Sequence, residues 1–154
     1  MKTEPSSSLL IADTSGIISL FSATDNNHAR ALALVEQLRR TPGSILVPSD
    51  VFVETVNVVG KKLGHEQAIA IGTALSHEPP FMVAEAMGDV LHQAFARFAG
   101  QPASVSLTDC IVMAVADSFE TRAIFGFDAV FQRNGYRLPA VGETEEEHAA
   151  ESEL

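Results

Sequence analysis

Four carboxylates, far apart in the chain, stand where apolar runs meet helical ones. Asp13 ends the run "LLIAD"; Glu54 lies in the first turns of "SDVFVETVNVV"; Asp109 opens "TDCIVMAVADS"; and Asp128 follows "AIFGF". If they met, they could not remain as they are. Two carboxylates ~5 Å apart repel by roughly 3 kcal/mol at an effective dielectric near 20. Four of them would take up protons or require a cation. No Lys or Arg lies within four residues of Asp13, Glu54 or Asp109. A divalent ion is then the economical partner, and an all-oxygen donor set favours Mg²⁺ or Mn²⁺ over zinc. Such a site suits phosphodiester hydrolysis, in which metal charge activates water and stabilises the leaving oxygen. Asp13 and Asp109 are the first choice for direct ligands, with Glu54 and Asp128 completing the set, directly or through water.

Each acid also has a plainer reading. Asp13 and Asp128 could be simple helix N-caps. Ser106-x-x-Asp109 has the form of a capping box. Glu54 is surrounded by Val51, Phe52, Val53, Val56, Val58 and Val59, so its helix reads as apolar nearly all round. A buried carboxylate there would need a partner. Asp117 lies eight residues beyond Asp109, ~12 Å along a helix axis, and cannot share an ion with it. Asp25 reads as a turn or cap and Asp50 as a helix-start acid. The five histidines have no ligand spacing, and Cys110 reads as a small apolar filler. No glycine-rich phosphate loop is present.

The elements that must position these acids alternate. Strands are expected at residues 8–12, 44–47, 81–84 and 122–127, with a brief last one at Tyr136–Leu138. Helices are expected at 15–23, 27–40, from Pro48–Asp50 to about Lys62, from His65 to about Leu75, up to about Phe98, and over 106–119, followed by a short helical turn after Asp128. The 106–119 helix is apolar on nearly all sides, hence deeply buried. Strands alternating with helices predict a parallel sheet covered on both faces. In such sheets, sites form at the carboxyl ends of the strands, where all four acids can converge.

The chain has 154 residues, enough for one domain with a single core. No apolar run approaches the ~20 residues of a membrane span, no secretory signal is recognisable, and a single cysteine fits a reducing compartment. A cytoplasmic protein is expected. The net charge of −10 is uneven: residues 143–154 (ETEEEHAAESEL) hold six Glu and no Lys or Arg, which leaves −4 for residues 1–142. An acidic total does not by itself suggest nucleic acid. Phosphate contacts would have to come from local cations, with Lys61, Lys62, Arg39, Arg40 and Arg97 the candidates, and Arg122 and Arg133 beside them.

The segments "IADTSGIISLF", "VPSDVFVETVNVV", "SLTDCIVMAVADS" and "AIFGFDAVFQRNGY", with the helix "DNNHARALALVEQL", resemble the PIN-domain ribonucleases, and among them the VapC-type toxins of bacterial toxin–antitoxin pairs. The likeness spans about residues 8 to 138. It implies a three-layer α/β/α sandwich around a parallel sheet of four to five strands. Residues 1–142 would form one PIN-like domain, and 143–154 an acidic C-terminal tail, expected to be disordered. It further implies a metal-dependent endoribonuclease whose catalytic groups and metal ligands are Asp13, Glu54, Asp109 and Asp128, with Mg²⁺ or Mn²⁺ as cofactor. Ser15 and Ser106 would be small polar groups beside the ligands. A small antitoxin partner, a homodimer and an RNA substrate are implied, without a membrane. The family often carries Thr-x-Asp at the last acid, where this chain has Gly126-Phe127-Asp128. The alternative is a non-catalytic PIN-fold module that binds RNA or protein; a phosphatase or a nuclease acting on DNA is a third reading.

Overall fold

The structure is a computed structural model that describes residues 8–141. Its elements are β1 (Ser8–Ala12), α1 (Thr14–Phe21), α2 (His28–Arg40), β2 (Gly43–Pro48), α3 (Ser49–Leu63), α4 (His65–His77), β3 (Phe81–Ala84), α5 (Gly88–Ala99), α6 (Leu107–Ser118), β4 (Ile124–Phe125) and α7 (Ala129–Arg133). The strands form one parallel sheet in the order β3-β2-β1-β4. In β1 and β2, three successive residues are buried, Leu10-Ile11-Ala12 and Ile45-Leu46-Val47. Successive strand side chains point to opposite faces. Both faces are therefore covered, which gives the expected three layers.

Helix α6 supplies much of the core. Every residue from Cys110 to Ala116 is buried, so this helix has no solvent face along two turns. Helix α1 is held against the sheet by a close approach at Gly16. A Cβ there would stand 2.2 Å from the carbonyl oxygen of Phe125. Only glycine lets the first turn after β1 lie on the end of β4.

Three details differ from the sequence expectation. The last strand is reduced to one parallel bridge, Ala123 to Arg137, sealed by Arg137 N–H to Arg122 O at 2.8 Å and Ile124 N–H to Arg137 O at 2.9 Å. Strand β4 itself is two residues long, Ile124–Phe125, against the expected run over 122–127. Helix α3 buries only Val51, Thr55 and Val59, so Glu54 is exposed and Val53 is 57% exposed. The expectation of a buried Glu54 is thus corrected: the valine run exceeds what one helix face can bury. The acidic tail lies outside the described residues.

Candidate active site

Strand β1 delivers Asp13 to the carboxyl edge of the sheet, where it becomes the N-cap of α1. Its Oδ2 accepts from Ser15 N–H at 3.2 Å and from the Ser15 hydroxyl at 2.7 Å. Asp109 is the third residue of α6, and its Oδ2 accepts from Ser106 N–H at 3.0 Å. The Ser106 hydroxyl in turn accepts from Asp109 N–H at 3.0 Å. Asp128 caps α7, accepting from Val130 N–H at 3.4 Å. Glu54 accepts from the Thr14 hydroxyl at 3.1 Å.

The capping readings are thus correct, yet all four carboxylates also line one cleft of about 540 Å³. Capping and convergence are compatible, because a strand's end and a helix's start are the same place in this topology. Asp25 lines it too, with its Oδ1 on Asn27 N–H at 2.8 Å, as its turn reading required. Five carboxylates therefore face a single lysine, Lys62, among the residues lining the cleft. Ser15 and Ser106 line it as well.

The electrostatic cost falls on Asp13, which is 5% exposed. Burial, with a contribution from the negative charge of Asp109, pushes its carboxyl up from 3.8 to about 6, although the Ser15 hydroxyl and N–H pull the other way. This combination of burial and acidic neighbours suits a cation. The donors are hard oxygens, which match Mg²⁺ or Mn²⁺ in kind. Their arrangement does not yet amount to a cage: among the described residues, no three His, Cys, Asp or Glu side chains are placed to hold an ion as they stand. Asp13, Asp109 and Asp128 each accept from a donor in their own helix start, and Glu54 accepts from the Thr14 hydroxyl of α1.

Gly126 explains the missing threonine before the last acid. A Cβ there would stand 2.9 Å from Asp13 Cβ, 3.1 Å from the Phe131 ring and 3.3 Å from Ser15 Oγ. The space is already crowded by Asp13 itself, with Phe131 and Ser15 beside it. The Ser15 hydroxyl donates to Asp13 and accepts from Phe127 N–H at 3.0 Å, tying α1 to the loop that carries Asp128.

Of the basic candidates, only Lys62 reaches the cleft. Lys61 is exposed beside it. Arg39 and Arg40 end α2 near the start of β2, and a six-residue strand separates them from the carboxyl edge by roughly 17 Å. Arg39 is engaged with Glu36 at 3.0 Å and with Pro79 O at 3.4 Å. Arg97 is committed elsewhere: it donates to Asp117 at 2.7 Å and to the Tyr136 hydroxyl at 2.8 Å, while that hydroxyl donates to Asp117 at 2.6 Å. Arg97 and Arg122 both lie over the Tyr136 ring. As a phosphate contact, Arg97 is therefore withdrawn, because its guanidinium locks α5 to α6 and the C-terminal segment. Sequence reasoning overlooked Thr14 and Phe127 at the cleft. Both flank a candidate acid directly in sequence, which was the available signal.

The parallel order 3-2-1-4, with acids converging at its carboxyl edge, defines a class of α/β protein, and the PIN domain family model matches residues 10–135. The chain belongs to the PIN domain family. Among solved structures it resembles the VapC20 toxin of Mycobacterium tuberculosis, described as cleaving the sarcin–ricin loop. That match has a TM-score of 0.72 at 21% identity and covers 86% of this chain and 99% of that one. It also resembles VapBC2 from Rickettsia felis, solved bound to a DNA fragment from its promoter, with a TM-score of 0.64 at 15% identity over 85% and 97% of the two chains. At these identities the likeness is one of fold. No curated protein sequence matches.

Proposed function

We propose that the chain is a metal-dependent endoribonuclease that hydrolyses RNA phosphodiester bonds, and the toxin of a bacterial toxin–antitoxin pair. One observation carries this reading: Asp13, Glu54, Asp109 and Asp128 line the same cleft of a PIN fold. Asp13 and Asp109 would hold Mg²⁺ or Mn²⁺, with Glu54 and Asp128 beside them. When bound, the ion supplies positive charge to polarise the phosphate and lower the pKa of water. Ser15 fixes the orientation of Asp13, and the Ser106 backbone does the same for Asp109. Lys62 offers the incoming phosphate its cationic contact. No side chain needs to attack covalently, since water is the nucleophile.

The pairing with an antitoxin is supported by the toxin and VapBC structures the fold resembles. Among the described residues, no helix is long and apolar enough to cross a membrane, in keeping with a cytoplasmic RNA substrate. A homodimer would cover some of the exposed apolar surface at α5, where Met87, just before the helix, is 71% exposed and Phe95, within it, 62%. The deciding experiment is RNA cleavage in Mg²⁺ or Mn²⁺ by the parent and by Asp109→Asn, with melting temperature checked for both. Loss of cleavage by a folded variant supports the assignment; undiminished cleavage refutes it.

A further inference from the structure

Phe127 stands between Gly126 and Asp128 and lines the cleft, tied at its backbone and in contact through its ring. Its N–H is held by Ser15 Oγ at 3.0 Å. Its ring meets that of the fully buried Phe125 edge-on, at a centroid distance of 6.4 Å and an angle of 64°. The ring nevertheless remains half-exposed on the cleft. The guanidinium carbon of Arg30, from the exposed side of α2, lies 5.5 Å from the ring centroid. Among the described residues Arg30 makes no salt bridge, so its charge is available to a polyanion. Lys62 lines the same cleft from α3.

An aromatic ring beside the candidate carboxylates, with a planar cation over it, is what an unstacked nucleobase can use. Bases stack on aromatic side chains and on guanidinium planes, and the contact tolerates any sequence because every base has a π-face. In a duplex those faces are already occupied, whereas loops and single strands can splay a base out. We propose that Phe127, with the Arg30 guanidinium over its ring, forms a stacking platform for one unpaired base next to the scissile phosphate. Lys62, which lines the cleft, holds a neighbouring phosphate that the carboxylates would otherwise repel. This rests on the nuclease reading above and adds a specificity-determining pair to it.

The test uses the full chain carrying Asp109→Asn, so that RNA is bound without being cut. Fluorescence anisotropy compares a labelled single-stranded RNA with a blunt duplex of the same sequence at fixed salt. Phe127→Leu should weaken single-strand binding about tenfold and leave duplex binding unchanged, since stacking contributes about 1–3 kcal/mol per base. Phe127→Tyr should retain the parent affinity. Arg30→Ala should weaken single-strand binding by a few fold. A 2-aminopurine in the single strand should be quenched by the parent and not by Phe127→Leu, a signature that a purely structural role for the ring would not produce. Equal affinity of Phe127→Leu and parent for the single strand, or equal binding of single strand and duplex, overturns the platform. Neither result touches the nuclease reading, which fails separately if Asp109→Asn still cleaves.

Discussion

The burial of Asp13 predicts that its removal strengthens the protein it disables. The carboxyl titrates near 6 in the fold against 3.8 ordinarily, with burial as the main cause. Between those two pH values the native state keeps a proton that the unfolded chain has released. The contribution of Asp13 to stability therefore falls as pH rises through this window, and the full penalty is present above about pH 6. At 1.36 kcal/mol per pH unit the gap amounts to about 3 kcal/mol, an upper figure. Asn is the informative replacement, because its side-chain oxygen can still accept from Ser15 and it caps helices as well as Asp. In EDTA at pH 7.5, Asp13→Asn should melt roughly 6–12 °C above the parent, at about 2–4 °C per kcal/mol for a domain of this size. The difference should shrink on acidification and vanish near pH 4. Mg²⁺ should raise the melting temperature of the parent and leave that of the variant unmoved. RNA cleavage by the variant should be lost. A variant that melts at or below the parent temperature in EDTA at pH 7.5 would refute the claim that burial of a charge dominates this position.

Three further outcomes follow from the same geometry. Lys62→Ala should weaken RNA binding and lower the slope of log affinity against log salt by about 1. Arg97→Ala should leave that slope unchanged while lowering the melting temperature, because the salt bridge and hydrogen bond it would lose join α5 to α6 and the C-terminal segment. Gly16→Ala should cost about 1–3 kcal/mol of stability in urea unfolding, since its methyl would meet the Phe125 carbonyl and force α1 off the sheet. An unperturbed midpoint would mean that the α1–β4 contact is looser than described.

Much of this architecture could be read from the chain alone, for identifiable reasons. The runs SLLIA and SILV are continuous apolar stretches of strand length, and they became the two central strands. The segment 110–116 has no polar residue, and it became the buried part of α6. That acids at strand ends could share an edge also followed from topology alone, and all four line one cleft. What could not be read depended on distant packing. Glu54 looked buried because sequence pattern does not say how wide a stripe α3 can hide. Arg97 looked like a phosphate contact because its true partners, Asp117 and Tyr136, lie 20 and 39 residues away. The role of Gly126 was invisible until Asp13, Phe131 and Ser15 were seen crowding the space beside it.

Helix α6 carries a carboxylate near each end, and the two are treated in opposite ways. Asp117 is clamped by Arg97 and Tyr136, with Arg122 at 3.7 Å, whereas Asp109 answers only to its own helix start. The helix is thus a bolt fastened at its head, with a working tip about 12 Å away. Sliding it is barred, so adjustment at the tip falls to rotation of the Asp109 side chain. Loosening the fastening with Arg97→Ala should then shift the NMR resonances of Asp109 from across the core, although no residue lining the cleft has been replaced.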